Sequence, residues 1–233
     1  MSRTNEHGQP IGEPVAGWSP RPLPPATALT GRYCRVEPLA PTEHGHDLYE
    51  AFAAETTGAL WTYMSQGPFT DFASFETWLD QIAGESDPMF HTILADGTAS
   101  GLAAYLRIAP AMGVIEVGNI SFAPRLQRTR AATESMYLMM RRAFDELGYR
   151  RYEWKADALN APSGRAALRL GFTYEGMFKQ AVVYKGRNRD TAWYAITDAE
   201  WPRVRDALEA WLDPANFDAD GHQLQSLEDA RGR

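Results

Sequence analysis

The sequence is poor in the residues that would commit it to several common functions. It carries one cysteine among 233 residues, Cys34. A single thiol cannot close an internal disulfide, so the chain fits a reducing compartment. Cys34 lies in an expected strand and reads as a small buried hydrophobe rather than a nucleophile. A basic surplus is also missing: 23 Lys and Arg stand against 30 Asp and Glu, for a formal charge of −7. Nucleic-acid binders need clustered cations to neutralise phosphates, so a general nucleic-acid partner is not expected. The acidic balance is compatible with a cationic amine substrate. No apolar run approaches the roughly 18 residues of a membrane span. The opening Met1-Ser2-Arg3-Thr4-Asn5-Glu6 lacks the apolar region of a secretory signal. These absences predict a cytoplasmic protein with neither membrane nor nucleic acid as a partner.

What is present suits a globular domain. Hydrophobic residues make up 44% of the chain and charged residues 23%, enough for a sizeable core. Residues 1–30 are rich in turn-breakers, with the run Pro20-Arg21-Pro22-Leu23-Pro24-Pro25. Such a segment favours extended polyproline conformations and builds no core of its own. It reads either as a flexible leader or as a strap across the domain, with Trp18 and Leu23 as anchors. Residues 31–213 carry the periodic patterns of the domain. Residues 214–233 form a polar tail expected to fray, with a short helix near Leu224 to Leu227.

Within the domain the alternation of Tyr33, Val36 and Leu39 marks a strand over 31–39. Pro41-Thr42-Glu43 starts a helix whose apolar face continues through Leu48, Phe52 and Leu60. Asp71 caps a second helix bearing Phe72, Phe75, Leu79 and Ile82. Strands are expected over 89–95 and 99–108, joined by an Asp96-Gly97 hairpin, and over 114–122. A helix over 131–147 shows a Met-rich face that reads as core, stopped by Gly148. A strand follows over 150–159. There Tyr152, Trp154, Ala156 and Ala158 alternate with Glu153, Lys155 and Asp157. A short helix over 160–170 ends at Gly171. A hairpin spans 172–196, and a last helix covers 201–212. The strand-helix-strand unit over 114–159 demands a parallel pair with a right-handed crossover. The remaining strands look antiparallel. One mixed α/β domain results, with helices flanking its sheet.

The chemistry gathers where the 114–122 strand turns into the Met-rich helix. Unsatisfied N–H groups and the helix dipole make such a turn an anion site, and diphosphate is a common occupant. Arg125, Arg128 and Arg130 lie within six residues there. A short basic turn is often merely solvated, but in an acidic chain this cluster favours phosphate.

Gln127-Arg128-Thr129-Arg130-Ala131-Ala132 resembles the pyrophosphate loop of the GNAT N-acetyltransferases, which runs Gln or Arg, two residues, Gly, one residue, Gly or Ala. Gln127 and Ala132 match. Arg130 and Arg128 stand where glycines are common. An Arg backbone still donates N–H bonds if its φ is negative, and its guanidinium can add a bidentate phosphate contact. A second stretch, Asn160-Ala161-Pro162-Ser163 leading through a short helix to Gly171-Phe172, resembles the family's late motif. With Tyr174-Glu175-Gly176, Lys185-Gly186-Arg187-Asn188 and Ile115-Glu116-Val117-Gly118 it resembles the RimJ/RimL-like branch. The resemblance covers roughly residues 31–201.

The resemblance implies a GNAT fold with a splayed central parallel pair, and acetyl-CoA as co-substrate without a metal. The acceptor would be a small-molecule amine or a peptide N-terminus; a homodimer is compatible. Cofactor contacts would come from Ile120, Ser121, Phe122, Gln127, Arg128, Thr129, Arg130, Ala131, Ala132, Asn160 and Arg165. Ser163 would protonate or solvate the departing thiolate, since the helical Tyr used by many relatives is Leu168 here. Glu116 is the first candidate base and Asp157 the second; pairing with Arg107 would make Glu116 structural instead. His44, His46 and His91 are expected at exposed positions of early elements. The aromatic segment Leu60 to Phe69 would line the acceptor pocket with Trp61, Tyr63 and Phe69, and Tyr184 on the late hairpin would join it. Direct attack of a neutral amine on the thioester is the expected mechanism. The competing readings are a non-catalytic acyl-CoA-binding module, suited by the substituted loop and the absent Tyr, and an interaction module using the Pro-rich leader.

Overall fold

Period-two apolar patterning builds one eight-stranded sheet, and chain connectivity fixes its single parallel pair. The computed structural model describes residues 3–232. Met1, Ser2 and Arg233, the outermost residues of the predicted leader and tail, lie outside the described residues. An exposed hairpin of β1 (Arg3–Thr4) and β2 (Pro10–Ile11) comes first. The chain then runs β3 (Leu29–Thr30), β4 (Cys34–Pro38), α1 (Pro41–Ala53), α2 (Phe72–Ile82), β5 (Met89–Ala95), β6 (Thr98–Ala109) and β7 (Val114–Phe122). It continues with α3 (Arg130–Arg141), β8 (Arg151–Asp157), α4 (Ala161–Leu170), β9 (Thr173–Tyr184), β10 (Arg187–Thr197), α5 (Trp201–Leu212) and α6 (Leu227–Ala230). The sheet order is β3-β4-β5-β6-β7-β8-β10-β9. Neighbours pair antiparallel except β7 with β8, which the α3 crossover joins in parallel. This is the expected mixed α/β domain flanked by helices.

Two apolar layers sandwich the sheet. On one face Met136, Met139 and Met140 of α3 and Val204 and Leu208 of α5 pack on Tyr105, Val117, Tyr152 and Trp154. On the other, Leu48 and Phe52 of α1 and Phe75, Trp78 and Leu79 of α2 pack on Phe90, Leu102 and Ala104. Glu116, Glu153, Lys155 and Asp157 therefore share the second face, since their strand neighbours point to the first. No helix among the described residues is long and apolar enough to cross a membrane.

Several local expectations are corrected. Helix α1 stops at Ala53, and Leu60 belongs to a separate 3-10 turn, Ala59–Trp61, entered through Gly58. The regular part of α3 ends at Arg141, and a π turn covers Arg142–Glu146. There the buried Arg142 donates to the carbonyls of Thr27 (2.6 Å) and Ala28 (3.3 Å). The tail folds rather than fraying: Leu227 is buried, the Trp211 indole donates to Gln223 (2.8 Å), and Arg231 donates to the Leu168 carbonyl (2.8 Å). Trp18 donates to the Ala111 carbonyl at 3.0 Å and lies on Gly113, whose positive φ and lack of a Cβ make room for the ring. Leu23 is no anchor, being 62% exposed, while Pro24 beside it is buried. His44 and His91 are buried, contrary to expectation, and only His46 is exposed. His44 Nδ1 accepts the Ala40 N–H at 3.2 Å at the start of α1, a task that needs burial there. His91 points from β5 toward Tyr105 and donates to the Met89 carbonyl at 3.1 Å.

Candidate active site

The parallel ladder is short. It runs from Val114 opposite Arg151 to Val117 opposite Trp154. Beyond that, β7 stays with β6 as far as Phe122, and β8 stays with β10 as far as Asp157. The two strands part, and a gap opens between them. In the same stretch β7 bulges. Gly118 faces Ala104 and Ser121 faces Leu102, so Asn119 and Ile120 together oppose Ala103. Asn119 takes φ +50° to do so. A bulge bends its strand and frees backbone groups from the ladder. Ile120 and Phe122 lean on the core, and the buried Ser121 hydroxyl has no partner among the described residues.

The gap leads to the start of α3. Thr129 caps this helix, its Oγ1 accepting the Ala132 N–H at 3.1 Å. The N–H groups of Arg130 and Ala131 sit in the first turn, where no helical carbonyl reaches them. Gln127 Nε2 returns to the Phe122 carbonyl at 2.8 Å and braces the turn. The three arginines separate sharply. Arg125 is tied to Ser100 Oγ (3.0 Å) and the Ala99 carbonyl (2.6 Å). The Arg130 guanidinium lies over Tyr33 (5.0 Å) and Phe217 (4.6 Å), an aromatic bracket formed with the folded tail. Arg128 is exposed and has no side-chain partner among the described residues. Its φ is +62°, so the negative φ expected of an Arg in this loop does not hold for it.

On the α1/α2 face, Glu116 is buried between two cations. Its Oε2 accepts from Lys155 Nζ at 2.7 Å and pairs with Arg107 Nε at 3.2 Å. Lys155, itself buried, also pairs with Glu153 at 2.8 Å and lies 3.9 Å from the Trp193 ring centre. Burial pushes the Glu116 carboxyl up, outweighing the pull of Lys155 and Arg107. The other oxygen, Oε1, points along β7 past Gly118, 3.4 Å from where a Cβ would stand. Leu106 packs on the same glycine, its Cδ2 3.0 Å from that Cβ position, so the lack of a side chain at Gly118 makes room for both.

At the far end of β8, Asp157 is fully engaged. Its Oδ1 accepts the Leu159 N–H (2.9 Å) and its Oδ2 the Tyr184 hydroxyl (2.7 Å). Each oxygen thus holds one structural hydrogen bond. Burial, then Asp157, raises the Tyr184 pKa. Asn160 caps α4 through the Ser163 N–H at 3.2 Å. Ser163 Oγ accepts from the Trp154 indole at 3.0 Å, which leaves its own hydrogen free to donate. Arg165 is exposed on the same helix, and so is Leu168 at 48%.

The loop between α1 and α2 is held from the β9–β10 hairpin. Lys185 Nζ donates to the carbonyls of Trp61 (2.9 Å), Gln66 (3.1 Å) and Gly67 (2.7 Å), and Arg187 to that of Thr62 (2.7 Å). Burial followed by the nearby Arg187 lowers the Lys185 pKa. Tyr63 donates to the Leu159 carbonyl at 3.1 Å. Trp61 does not face a pocket. It is 5% exposed and packs edge-on against Phe52, Trp78 and Phe69. Phe69 stacks on Trp78 at 5.0 Å and is equally part of this packing. A half-open cavity of about 160 Å³ lies beside them, lined by Met64, Ser65, Gln66, Trp78, Ile82, Pro88, Phe90 and Asn119. A larger hollow, about 290 Å³, sits away from the gap between the start of β9 and the tail, lined by Phe172, Arg203 and Arg231 among others.

Sequence reasoning missed Lys155, Asn119 and most of this lining. One signal was legible: a lone glycine inside a strand, Gly118, marks a bulge or a close approach. Ile82 read only as part of the apolar face of a helix, and Trp78 was not singled out.

Residues 36–173 match the family model described as "Acetyltransferase (GNAT) domain". A GCN5-related N-acetyltransferase from Brucella melitensis is 45% identical and superimposes with a TM-score of 0.91, over 93% of this chain and 99% of that one. A Chromobacterium violaceum protein described as an acetyltransferase of the GNAT family is 39% identical, TM-score 0.77, over 83% and 98% of the two chains. The microcin C7 self-immunity acetyltransferase MccE, solved with acetyl-CoA and AMP, shares the fold at 18% identity and TM-score 0.65, over 75% and 98%. No protein of curated function matches the chain significantly.

Proposed function

The chain belongs to the GNAT acetyltransferase family, and from that premise we propose that it moves an acetyl group from acetyl-CoA to a primary amine by direct attack. The observation that carries this reading is the splayed β7/β8 pair opening, past a bulge at Asn119, onto the start of α3. The pantetheine arm fits the gap as an added strand, bonding to the freed backbone of Ile120 to Phe122. The diphosphate meets the N–H groups of α3 and the side chain of Arg128, the one cation of this turn with no other partner among the described residues. Thr129 and Gln127 hold the turn in shape. Asn160 and Arg165 extend the contact from α4.

The reaction needs a neutral amine, an oriented carbonyl and an outlet for the thiolate. Glu116 Oε1 takes the proton of the incoming ammonium, directly or through one water. Burial raises its pKa above the ordinary carboxylate value, which makes it a stronger proton acceptor than an exposed carboxylate. Lys155 and Arg107 hold the opposite oxygen and orient the carboxylate. The amine nitrogen then attacks the thioester carbon, whose oxygen is stabilised by backbone N–H groups at the bulge. The C–S bond breaks with its electron pair on sulfur; the Ser163 hydroxyl, already accepting from Trp154, hydrogen-bonds the thiolate, and the proton shed by the new amide nitrogen ends on that sulfur, so that the hydroxyl is left unchanged. Leu168 has no hydrogen bond to donate, so that contact passes to Ser163.

The motifs over 31–201 support an acceptor of the RimJ/RimL-like kind, a small amine or a peptide N-terminus, in the cytoplasm. A thiol-release screen with acetyl-CoA against amines, amino acids and N-terminal peptides tests the reading. Thiol release with at least one acceptor is expected. CoA binding without release across the whole set would favour a non-catalytic acyl-CoA-binding module instead.

A further inference from the structure

The cavity beside the acceptor loop has an uncharged lining. None of its eight residues carries a charge, although 53 of the 233 residues, 23 basic and 30 acidic, do. Trp78, Phe90, Ile82, Met64 and Pro88 supply apolar walls, and Ser65 and Gln66 form a neutral rim. The floor reaches Asn119, the bulged residue two positions past the end of the parallel ladder. The cavity therefore opens beside the point where β7 leaves β8.

Its surroundings reinforce its neutrality. Lys185 is bound to this loop, and its ammonium is spent on the carbonyls of Trp61, Gln66 and Gly67. Asp87, next to Pro88, is spent on the backbone N–H groups of Arg107 (2.8 Å) and Ile108 (3.0 Å). The cations Arg107 and Lys155 are paired with Glu116. A charged substituent seated in this half-open cavity would give up part of its hydration to apolar walls with no counter-ion among the lining residues, which is unfavourable. An apolar cavity near 150 Å³ takes a guest about the size of benzene, and this one is about 160 Å³.

We propose that this cavity is the specificity pocket for the acceptor, and that it selects primary amines bearing an uncharged apolar group of roughly isobutyl, thioether or phenyl size. Polyamines and amines with a second charge near the nitrogen are rejected. The inference rests on the acetyltransferase reading and adds the acceptor class to it.

The test uses the full-length protein, acetyl-CoA and amino-acid amides differing only in the side chain: Leu, Met, Phe, Asp and Lys. The kcat/KM for the first three should exceed that for the last two by roughly tenfold or more, the discrimination an apolar pocket supplies. Ile82→Trp, at a half-exposed position late in α2, fills the cavity. It should lower kcat/KM for Leu, Met and Phe amides tenfold or more while leaving CoA affinity and the thermal midpoint unchanged. Ile82→Lys should shift preference toward the Asp amide. Equal or better use of charged amides by the native protein, or an Ile82→Trp variant with undiminished rates on apolar ones, would overturn the pocket assignment and leave the acetyltransferase reading standing. Absence of thiol release with every amine would overturn both.

Discussion

Arg128 offers a test in which stability and binding should move in opposite directions. A non-glycine residue at φ +62° is sterically strained. The left-handed region costs an L-residue about 1–2 kcal/mol. Replacing Arg128 by Gly removes that cost but adds backbone freedom to the unfolded chain, a penalty of roughly 0.5–1 kcal/mol. The balance is a gain of about 0.5–1 kcal/mol, or a rise of roughly 2–3 °C in midpoint for a chain of this size. The exposed guanidinium has no protein partner to lose among the described residues, so nothing offsets the gain. If it binds a CoA phosphate, its removal forfeits a charge-assisted hydrogen bond of about 1.5–3 kcal/mol. That weakens CoA roughly 10- to 100-fold. Scanning calorimetry of the free protein and titration calorimetry with CoA read the two effects separately. Arg128→Ala serves as control: it keeps the β-carbon and the strain, so affinity should fall without a rise in midpoint. A lower midpoint in Arg128→Gly would refute the strain argument. Unchanged CoA affinity in both variants would refute the phosphate contact.

Three further outcomes are expected. Glu116→Gln should abolish the ascending limb of the kcat/KM pH profile and lower the rate roughly 100-fold or more; a variant that keeps both limb and rate would show that Glu116 only neutralises Lys155. Asn160→Ala should cost about 1 kcal/mol as a lost helix cap and also reduce kcat. Ser163→Ala should reduce kcat and also cost about 1–3 kcal/mol by leaving the Trp154 indole unpaired, and unchanged turnover in both variants would remove α4 from the chemistry. His91 is held neutral by burial, with its pKa lowered to about 4 from 6.5. Its contribution is complete above pH 6.5 and is lost as pH falls toward 4, a drop of about 3 kcal/mol; His91→Gln should flatten the midpoint-versus-pH curve there, and an unchanged slope would assign the acid sensitivity to other groups.

The elements that sequence reads well are those whose pattern and packing agree. The alternation of Tyr152, Trp154 and Ala156 with Glu153, Lys155 and Asp157 placed β8 with the correct faces, and Asp71 capped α2 as its chemistry suggests. The strand-to-helix turn into α3 was legible from the change of period alone, and the helix begins there, capped by Thr129. What sequence does not carry is partner choice. Arg125, Arg128 and Arg130 look equivalent in a string, yet two are committed to Ser100 and to Tyr33 and Phe217, residues distant in sequence. Trp61 illustrates the reverse error. An aromatic in a loop suggests an exposed ligand contact, but the neighbouring Phe52 and Trp78 draw it into the core. The tail looked polar throughout, and the single buried Leu227 was enough to dock it.

The lysine that gathers three carbonyls has a bearing on how the molecule is assembled. Lys185 meets Trp61, Gln66 and Gly67 across 118 to 124 positions of chain. Contacts of such separation form late, because the intervening chain must be ordered before the contact repays its closure. The loop between α1 and α2 is tied locally in its first half, where the Leu60 N–H donates to Glu55 and the Met64 N–H to the Trp61 carbonyl, but the carbonyls of Gln66 and Gly67 gain the Lys185 ammonium only when the β9–β10 hairpin arrives. A nascent chain halted before the hairpin lacks the lysine that gathers this half of the loop, so the loop is completed from the far end of the chain. On the acceptor reading proposed above, selectivity would then follow the hairpin rather than the early helices that flank the loop.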